Sequence, residues 1–181
     1  YWSEGRQRLE TALYLIPKRE ATVTRARALI AAGDLAYYQD DYGKARSFLE
    51  EGMKLCSDLG LEREFAVALG NLGALTSMQG DAVTAFSLLK QSEQLCRAMN
   101  STWELAYLLR KLAQLAINKG DAREAVEYAQ ESLTLAKRLG DASLIATILS
   151  TLGVILPSVL NMVAIREAST SLLASVRLSC A

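Results

Sequence analysis

The sequence contains no histidine, only two prolines and three cysteines, and its charges cancel. Without histidine it lacks the commonest general base, the usual serine and cysteine triads, and the main ligand of zinc and iron sites. The 20 basic and 20 acidic residues leave no net charge that would favour nucleic acid or an acidic membrane. We therefore predict no metal, no cofactor and no direct nucleic-acid binding.

Motifs that mark catalytic or phosphate-binding sites are missing as well. The sequence has no glycine-rich phosphate loop and no Cys-x-x-Cys pair. Adjacent carboxylates occur at Asp40 with Asp41 and at Glu50 with Glu51. Neighbouring side chains on or near a helix point in different directions, so these pairs are poorly arranged for acid–base chemistry. We predict that the chain is not an enzyme.

The chain repeats itself with a period of 40 residues, because small and apolar residues recur at that spacing. A fixed period of this length indicates stacked units, none of which buries its apolar face alone. The matching columns are Ala26, Ala66, Ala106 and Ala146; Leu29, Leu69, Leu109 and Leu149; Ala32, Leu72, Leu112 and Leu152; Gly33, Gly73, Ala113 and Gly153; and Ala45, Ala85, Ala125 and Ile165.

Each unit contains two helical patterns separated by a short polar break. In the third unit, apolar residues are spaced by threes and fours from Leu105 to Ala116, and a second such pattern runs from Ala125 to Leu139. The sequence predicts an all-α fold, a solenoid of about four and a half helix–turn–helix repeats in one domain. The half repeat is 1–20 and the full repeats are 21–60, 61–100, 101–140 and the degenerate 141–180, in what we expect to be part of a larger protein.

Residues at the unit boundaries support these helix limits. Ser101 with Glu104, and Asp121 with Glu124, have capping-box spacing, in which a side-chain oxygen binds a first-turn amide and the glutamate reaches back. The second helices are predicted to end at residues that accept a left-handed backbone, namely Gly60, Asn100 and Gly140.

The cysteines do not form a disulfide framework. Cys56 and Cys96 occupy equivalent places in successive repeats, where the later repeats have Ala136 and Val176. This column indicates a small, buried, apolar position, since a free cysteine behaves as a small hydrophobe. Unpaired thiols in a core fit a reducing compartment, so we expect a cytoplasmic protein.

The fourth repeat is unusually apolar. No charged residue occurs from Ser143 to Ile165, a stretch long enough to cross a bilayer. Pro157 and Asn161 fall where other repeats place their turns, and the repeat register continues, so we predict no membrane span. The pattern Leu160–Leu178 lacks the polar outer face of a terminal cap. We expect this helix to pack on another domain or, alternatively, to mediate self-association.

The columns resemble the tetratricopeptide repeat (TPR), which has a large apolar residue, then Leu-Gly, then Ala near the start of the second helix. Leu69, Leu72-Gly73 and Ala85 show the pattern best, and it spans nearly the whole chain. The period departs from the usual ~34 residues, and no proline closes the second helices. The resemblance implies a right-handed α-solenoid with an extended surface for binding a partner.

Longer repeats of this kind resemble three groups of proteins. These are the sensor regions of bacterial regulators of the maltose-activator, LuxR or STAND type, the Leu-Gly-Asn spindle-orientation adaptors, and kinesin light chains. The stretches Gly33–Tyr37 and Gln79–Asp81 are most similar to the bacterial regulators. The resemblance implies the sensing region of a signalling or transcriptional regulator.

The candidate binding site consists of first-helix residues that hairpin packing does not require. In stacks of this kind the first helices line the concave side. The resemblance also implies a role for Asn71, since related repeats use an asparagine before Leu-Gly to bind a ligand's main chain. The candidate groove residues are Arg27, Asp34, Tyr37, Tyr38, Asn71, Met78, Tyr107, Arg110, Lys111, Gln114 and Asn118.

Tyrosine and arginine are frequent at interaction hot spots, which favours a protein or peptide partner in this groove. The other interpretation is an ordinary solvated surface, with Tyr37 and Tyr38 packing against the next hairpin. We predict a scaffold for protein or peptide binding. The alternatives are a small-ligand sensor with a pocket between hairpins and an oligomerisation module that acts through the last repeat.

Overall fold

The computed structural model describes residues 2–15 and 22–153, and this part of the chain is helical with no strand. The all-α prediction is therefore confirmed there. The helices are α1 Trp2–Leu15, α2 Val23–Tyr37, α3 Tyr42–Leu59, α4 Glu62–Met78, α5 Ala82–Ala98, α6 Thr102–Asn118, α7 Ala122–Leu139 and α8, which is described over 142–153.

The turns within and between the repeats contain residues with positive φ. Within the hairpins these are Asp40 (59°), Gly80 (89°) and Gly120 (78°). Between repeats they are Gly60 (66°), Asn100 (52°) and Gly140 (68°), as predicted. Asp40 therefore adopts the left-handed conformation that glycine supplies in the next two hairpins.

Aspartates cap the second helix of each hairpin. The side chains of Asp41, Asp81 and Asp121 each accept a hydrogen bond from a backbone N–H three residues later. The capping box predicted at Ser101 is wrong, because that side chain makes no cap hydrogen bond and its hydroxyl is buried without a hydrogen-bond partner among the described residues. At Asp121 only half of the box forms, since the Glu124 carboxylate accepts from Tyr128.

Consecutive helices pack into hairpins, α2 on α3, α4 on α5 and α6 on α7, and neighbouring hairpins join through α3 with α4 and α5 with α6. The first helices also contact each other, α2 with α4 and α4 with α6. In the described part of the chain, the backbones of α3, α5 and α7 do not approach one another in this way, although the side chains of Arg97 on α5 and Glu131 on α7 form an ion pair at 2.9 Å. The first helices therefore lie closer together than the second helices, and we call the face that α2, α4 and α6 share the inner face.

The repeat columns form the core of the first three repeats. Ala26, Ala66 and Ala106 are fully buried, and so are the second-helix alanines at 45, 85 and 125. Cys56 and Cys96 are also buried, which confirms their apolar environment. In the fourth repeat, Leu149 is 50% exposed, unlike its buried equivalents. The predicted core column therefore does not extend to this repeat within the described residues.

No helix in residues 2–15 and 22–153 is long and apolar enough to cross a membrane. The uncharged stretch that begins at Ser143 is described only up to residue 153. Its remainder, with Pro157, lies outside the described residues, and so does the Leu160–Leu178 segment for which we predicted packing or self-association.

Candidate binding face

The inner face of α2, α4 and α6 carries two adjacent pockets. One is about 330 Å³ and is formed by the first halves of these helices around Trp103; we call it the tryptophan pocket. The other is about 380 Å³ and is formed by their second halves around Lys111; we call it the lysine pocket. The structure thus divides the predicted groove into two compartments.

Every candidate groove residue lines one of these pockets. The tryptophan pocket contains Arg27, Asp34, Asn71 and Tyr107. The lysine pocket contains Tyr37, Tyr38, Met78, Arg110, Lys111, Gln114 and Asn118. The candidate residues thus lie together along these pockets, and whether they bind a ligand stays a prediction.

Ion pairs between successive first helices neutralise both glutamates of the tryptophan pocket, whose lining also contains Asp34. Arg27 on α2 donates to Glu64 on α4 at 2.6 Å, and Arg63 on α4 lies 3.4 Å from Glu104 on α6. Burial acts to raise the pKa of Glu64, but the hydrogen bond and charge of Arg27 outweigh it and lower that pKa. Each of the two glutamates is therefore paired with an arginine from the first helix of the preceding repeat.

The aromatic wall of this pocket comes from α6. Trp103 stacks on Tyr107 with ring centroids 5.4 Å apart and an interplanar angle of 12°. The indole Nε1–H of Trp103 donates to Asp141 at 2.9 Å, while 42% of the residue stays exposed. This arrangement presents a rigid aromatic surface, of the kind that anchors ligands at interaction sites.

Tyr107 separates the two pockets. Its hydroxyl donates to the carboxylate of Asp34 at 3.3 Å, and Asn71 Oδ1 lies 3.5 Å from the hydroxyl oxygen of Tyr107. Burial, with the nearby Asp34 charge, raises the pKa of Tyr107 well above its usual value. The three side chains come from α6, α2 and α4, so this cluster joins all the first helices that form the face.

The lysine pocket is built around a buried cation. Lys111 is only 5% exposed, and its ammonium lies 4.6 Å from the ring centroid of Tyr107 and 5.7 Å from that of Tyr37. Burial lowers its pKa to about 8, with Asp34 opposing and Arg110 adding to the shift. The Arg110 guanidinium lies 5.4 Å from the Tyr107 ring. Both cations are thus held by aromatic faces.

Polar and exposed side chains form the rim of the lysine pocket. Gln114 donates to Asn118 at 3.2 Å, and Asn118 donates to Ser77 at 3.4 Å. Tyr38 is 44% exposed and Met78 is 50% exposed. Tyr37, by contrast, packs against the core of the first two repeats, so the packing interpretation holds for Tyr37 more than for Tyr38.

Sequence reasoning missed the first-turn residues of the tryptophan pocket. These residues are Arg63, Glu64, Trp103 and Glu104. A signal was available, because positions 64 and 104 share one column and both hold glutamate. Among the described residues, no group of three or more histidine, cysteine, aspartate or glutamate side chains could hold a metal.

The comparisons with known proteins support the fold. No known family profile matches the sequence, and no curated protein matches it. The fold is similar to the crystal structure of BtubC (BKLC) from P. vanneervenii, with a TM-score of 0.62 and 18% sequence identity. The similarity covers 87% of this chain and 63% of BtubC, so the chain spans less than two thirds of that protein. At this identity the match supports an all-helical, repeat-like fold alone.

Proposed function

We propose that this chain is a TPR-like solenoid that binds a protein or peptide on the inner face of α2, α4 and α6. In this role it serves as the sensing or scaffolding region of a larger regulator. The observation that carries the proposal is the position of the tryptophan and lysine pockets side by side on the face where successive first helices meet.

The chemistry of this face favours a peptide partner. It offers tyrosine, tryptophan and arginine, which supply large contact area with polar groups at the edge. Trp103 and Tyr38 are partly exposed, so they have area left to bury on binding. Two separate pockets suit two side chains of one extended segment.

Selection of random peptides on the purified protein tests the proposal. Peptides that bind the inner face should lose about tenfold or more in affinity on the Asn71→Ala/Met78→Ala variant, which removes face contacts without changing charge. The matched control is Gln130→Ala/Thr134→Ala, at two exposed positions of α7 away from both pockets. Calorimetry on each protein gives the affinities.

The result that contradicts the proposal is equal affinity for the wild type and the inner-face variant. Failure to select any peptide would count against it in the same way. Thermal unfolding of each variant with the chosen peptide gives a second measurement, since a ligand of the folded form raises the midpoint.

A small-ligand sensor is the second candidate, because the two pockets have volumes of about 330 and 380 Å³. Small-molecule sites range from about 300 to 1,000 Å³. Calorimetric titration against a metabolite panel separates the candidates. A metabolite that binds the wild type and fails on Asn71→Ala/Met78→Ala supports the sensor, and a panel without binding counts against it.

A further inference from the structure

The two pockets differ in charge. The tryptophan pocket pairs Arg27 with Glu64 and Arg63 with Glu104. The lysine pocket contains Arg110 and Lys111, and no acidic residue lines it in the described part of the chain. The second half of the inner face therefore carries positive charge that its own lining does not neutralise.

Lys111 is unusual because it is buried without an ionic partner. Its ammonium contacts two aromatic rings, yet it makes no ion pair or hydrogen bond with any described residue. The Nε of Arg110 is also buried without a hydrogen-bond acceptor in that part of the structure. Buried charges are normally paired, since removing an ion from water costs several kcal/mol. The pocket thus presents two cationic groups, and no acidic residue of the described chain lies in its lining.

The repeat itself does not require these cations. The position of Lys111 holds Ala31, Asn71 and Thr151 in the other repeats. The position of Arg110 holds isoleucine, glycine and serine there. Hairpin packing therefore accepts small or neutral residues at both positions, and the cationic pair is a local feature of the third repeat that stability does not explain.

We propose that the lysine pocket binds the side-chain carboxylate of an acidic residue in a peptide that also places a large apolar residue in the tryptophan pocket. This inference rests on the proposed function and names the ligand class of the same face. Arg110 supplies a guanidinium N–H and Lys111 an ammonium, the two donors that bind carboxylates most strongly.

The charge balance favours a carboxylate over a phosphate. Arg110 and Lys111 contribute two positive charges, and the Asp34 carboxylate beside Tyr107 acts on Lys111 with one negative charge. The local excess is about one charge, which suits a carboxylate better than a phosphate carrying ~1.5–2 negative charges at neutral pH.

The pocket spacing restricts the peptide further. The pockets lie two to three helical turns apart along the same helices, roughly 10–15 Å. An extended chain covers that distance in about three to five residues. The ligand is therefore a segment in which an acidic residue and a large apolar residue are separated by two to four positions.

The test is a mutant cycle between peptide and protein. Selected peptides are made with amidated C-termini, and the acidic residue is changed to its amide. On the wild type this change should reduce affinity about 10- to 100-fold, as expected for a charge-assisted hydrogen bond. On Arg110→Gln/Lys111→Met the same change should reduce affinity less than about twofold.

The matched control is Arg123→Gln/Lys137→Met, which removes the same two charge types from exposed positions of α7. It should keep the full response to the amide substitution. The peptide-side measurement on the wild type needs no variant protein, so the proposal stays testable even if the double variant unfolds.

Four outcomes overturn the inference. In the first, the selected peptides bind the inner face and lose affinity on Asn71→Ala/Met78→Ala, but they show no preference for an acidic residue. This outcome rejects the carboxylate site and leaves the proposed function intact. A preference for a phosphorylated residue, or a need for a free C-terminal carboxylate, rejects the side-chain carboxylate. Failure to select any peptide contradicts both proposals.

Discussion

Gly73 on α4 lies so close to Leu89 on α5 that a Cβ at position 73 would stand 2.9 Å from Leu89 Cγ. Gly33 has the same relation to the corresponding leucine of its own repeat, at 2.8 Å. In the third repeat these two positions hold Ala113 and Ala129, both fully buried. Each hairpin therefore combines a glycine with a leucine, or an alanine with an alanine, so that the two helices pack closely.

Gly73→Ala should destabilise the protein by about 1–3 kcal/mol, because an added methyl in a packed interface forces its neighbours apart. Leu89→Ala should cost about 2–5 kcal/mol by leaving a cavity. The double variant reproduces the alanine pair of the third repeat, so its loss should be smaller than the sum of the two. Urea unfolding of the four proteins measures the coupling.

Gly43→Ala is the matched control, since a Cβ at this helical position meets nothing within 4 Å. It should be neutral or stabilising because alanine favours the helix. Equal stability of the Gly73→Ala and Gly43→Ala variants would show that the close approach does not matter.

Ser132→Ala should destabilise the third hairpin by about 1–2 kcal/mol. The buried hydroxyl of Ser132 on α7 donates to the backbone carbonyl of Ala106 on α6 at 2.6 Å, and Ser92 repeats this bond in the second hairpin. The variant leaves that carbonyl with one acceptor site unfilled. Thermal unfolding measures the loss, and Ser87→Ala, at an exposed position, should change little. Similar midpoints for both variants would refute the prediction.

Lys111→Met should stabilise the free protein by about 1–3 kcal/mol at neutral pH, because it removes a buried cation. Folding lowers the pKa of Lys111 from 10.5 to about 8 by burial. The buried charge of Lys111 therefore lowers the free energy of unfolding by its full amount below pH 8. This loss of stability disappears as pH rises toward 10.5. The advantage of the variant should shrink across that window.

Unfolding free energies of both proteins from pH 7 to 10 check this window. The groups that face Lys111 are Asp34, Arg110, Tyr37 and Tyr107, which both proteins share, so the difference between them isolates the lysine. A constant difference across the range would mean that the ammonium keeps its ordinary pKa. If the variant is more stable but binds acidic peptides more weakly, the result agrees with a binding role for this residue.

Cys56 and Cys96 should be nearly unreactive in the folded protein. Burial raises the pKa of each thiol from 9.0 to about 11. The folded state therefore favours the neutral thiol. The contribution of each thiol to the free energy of unfolding is complete below pH 9 and is lost as pH rises through 11. A disulfide reagent at pH 8, used on the Cys180→Ser protein, should label the native form about 100-fold more slowly than the unfolded form. Equal rates would contradict the buried column.

Much of the fold followed from local sequence information. Helix periodicity, the 40-residue spacing and boundary residues such as Gly60 and Gly140 place seven helices and the inner face, because each depends on contacts within a turn or between neighbouring helices. The wrong capping-box prediction at Ser101 also rested on local sequence information. Its residue type suits a cap, but the packed hairpin buries the hydroxyl away from the first-turn amides.

The sequence by itself determined which side chains lie on the inner face, since a helical period assigns each position to one side. Only the tertiary structure decided what those side chains do there. Tyr107 meets Asp34 across 73 positions, Glu64 neutralises Arg27, and Lys111 is enclosed by two rings. Such pairings depend on rotamers and on the distances between three helices, which no pattern along one chain specifies.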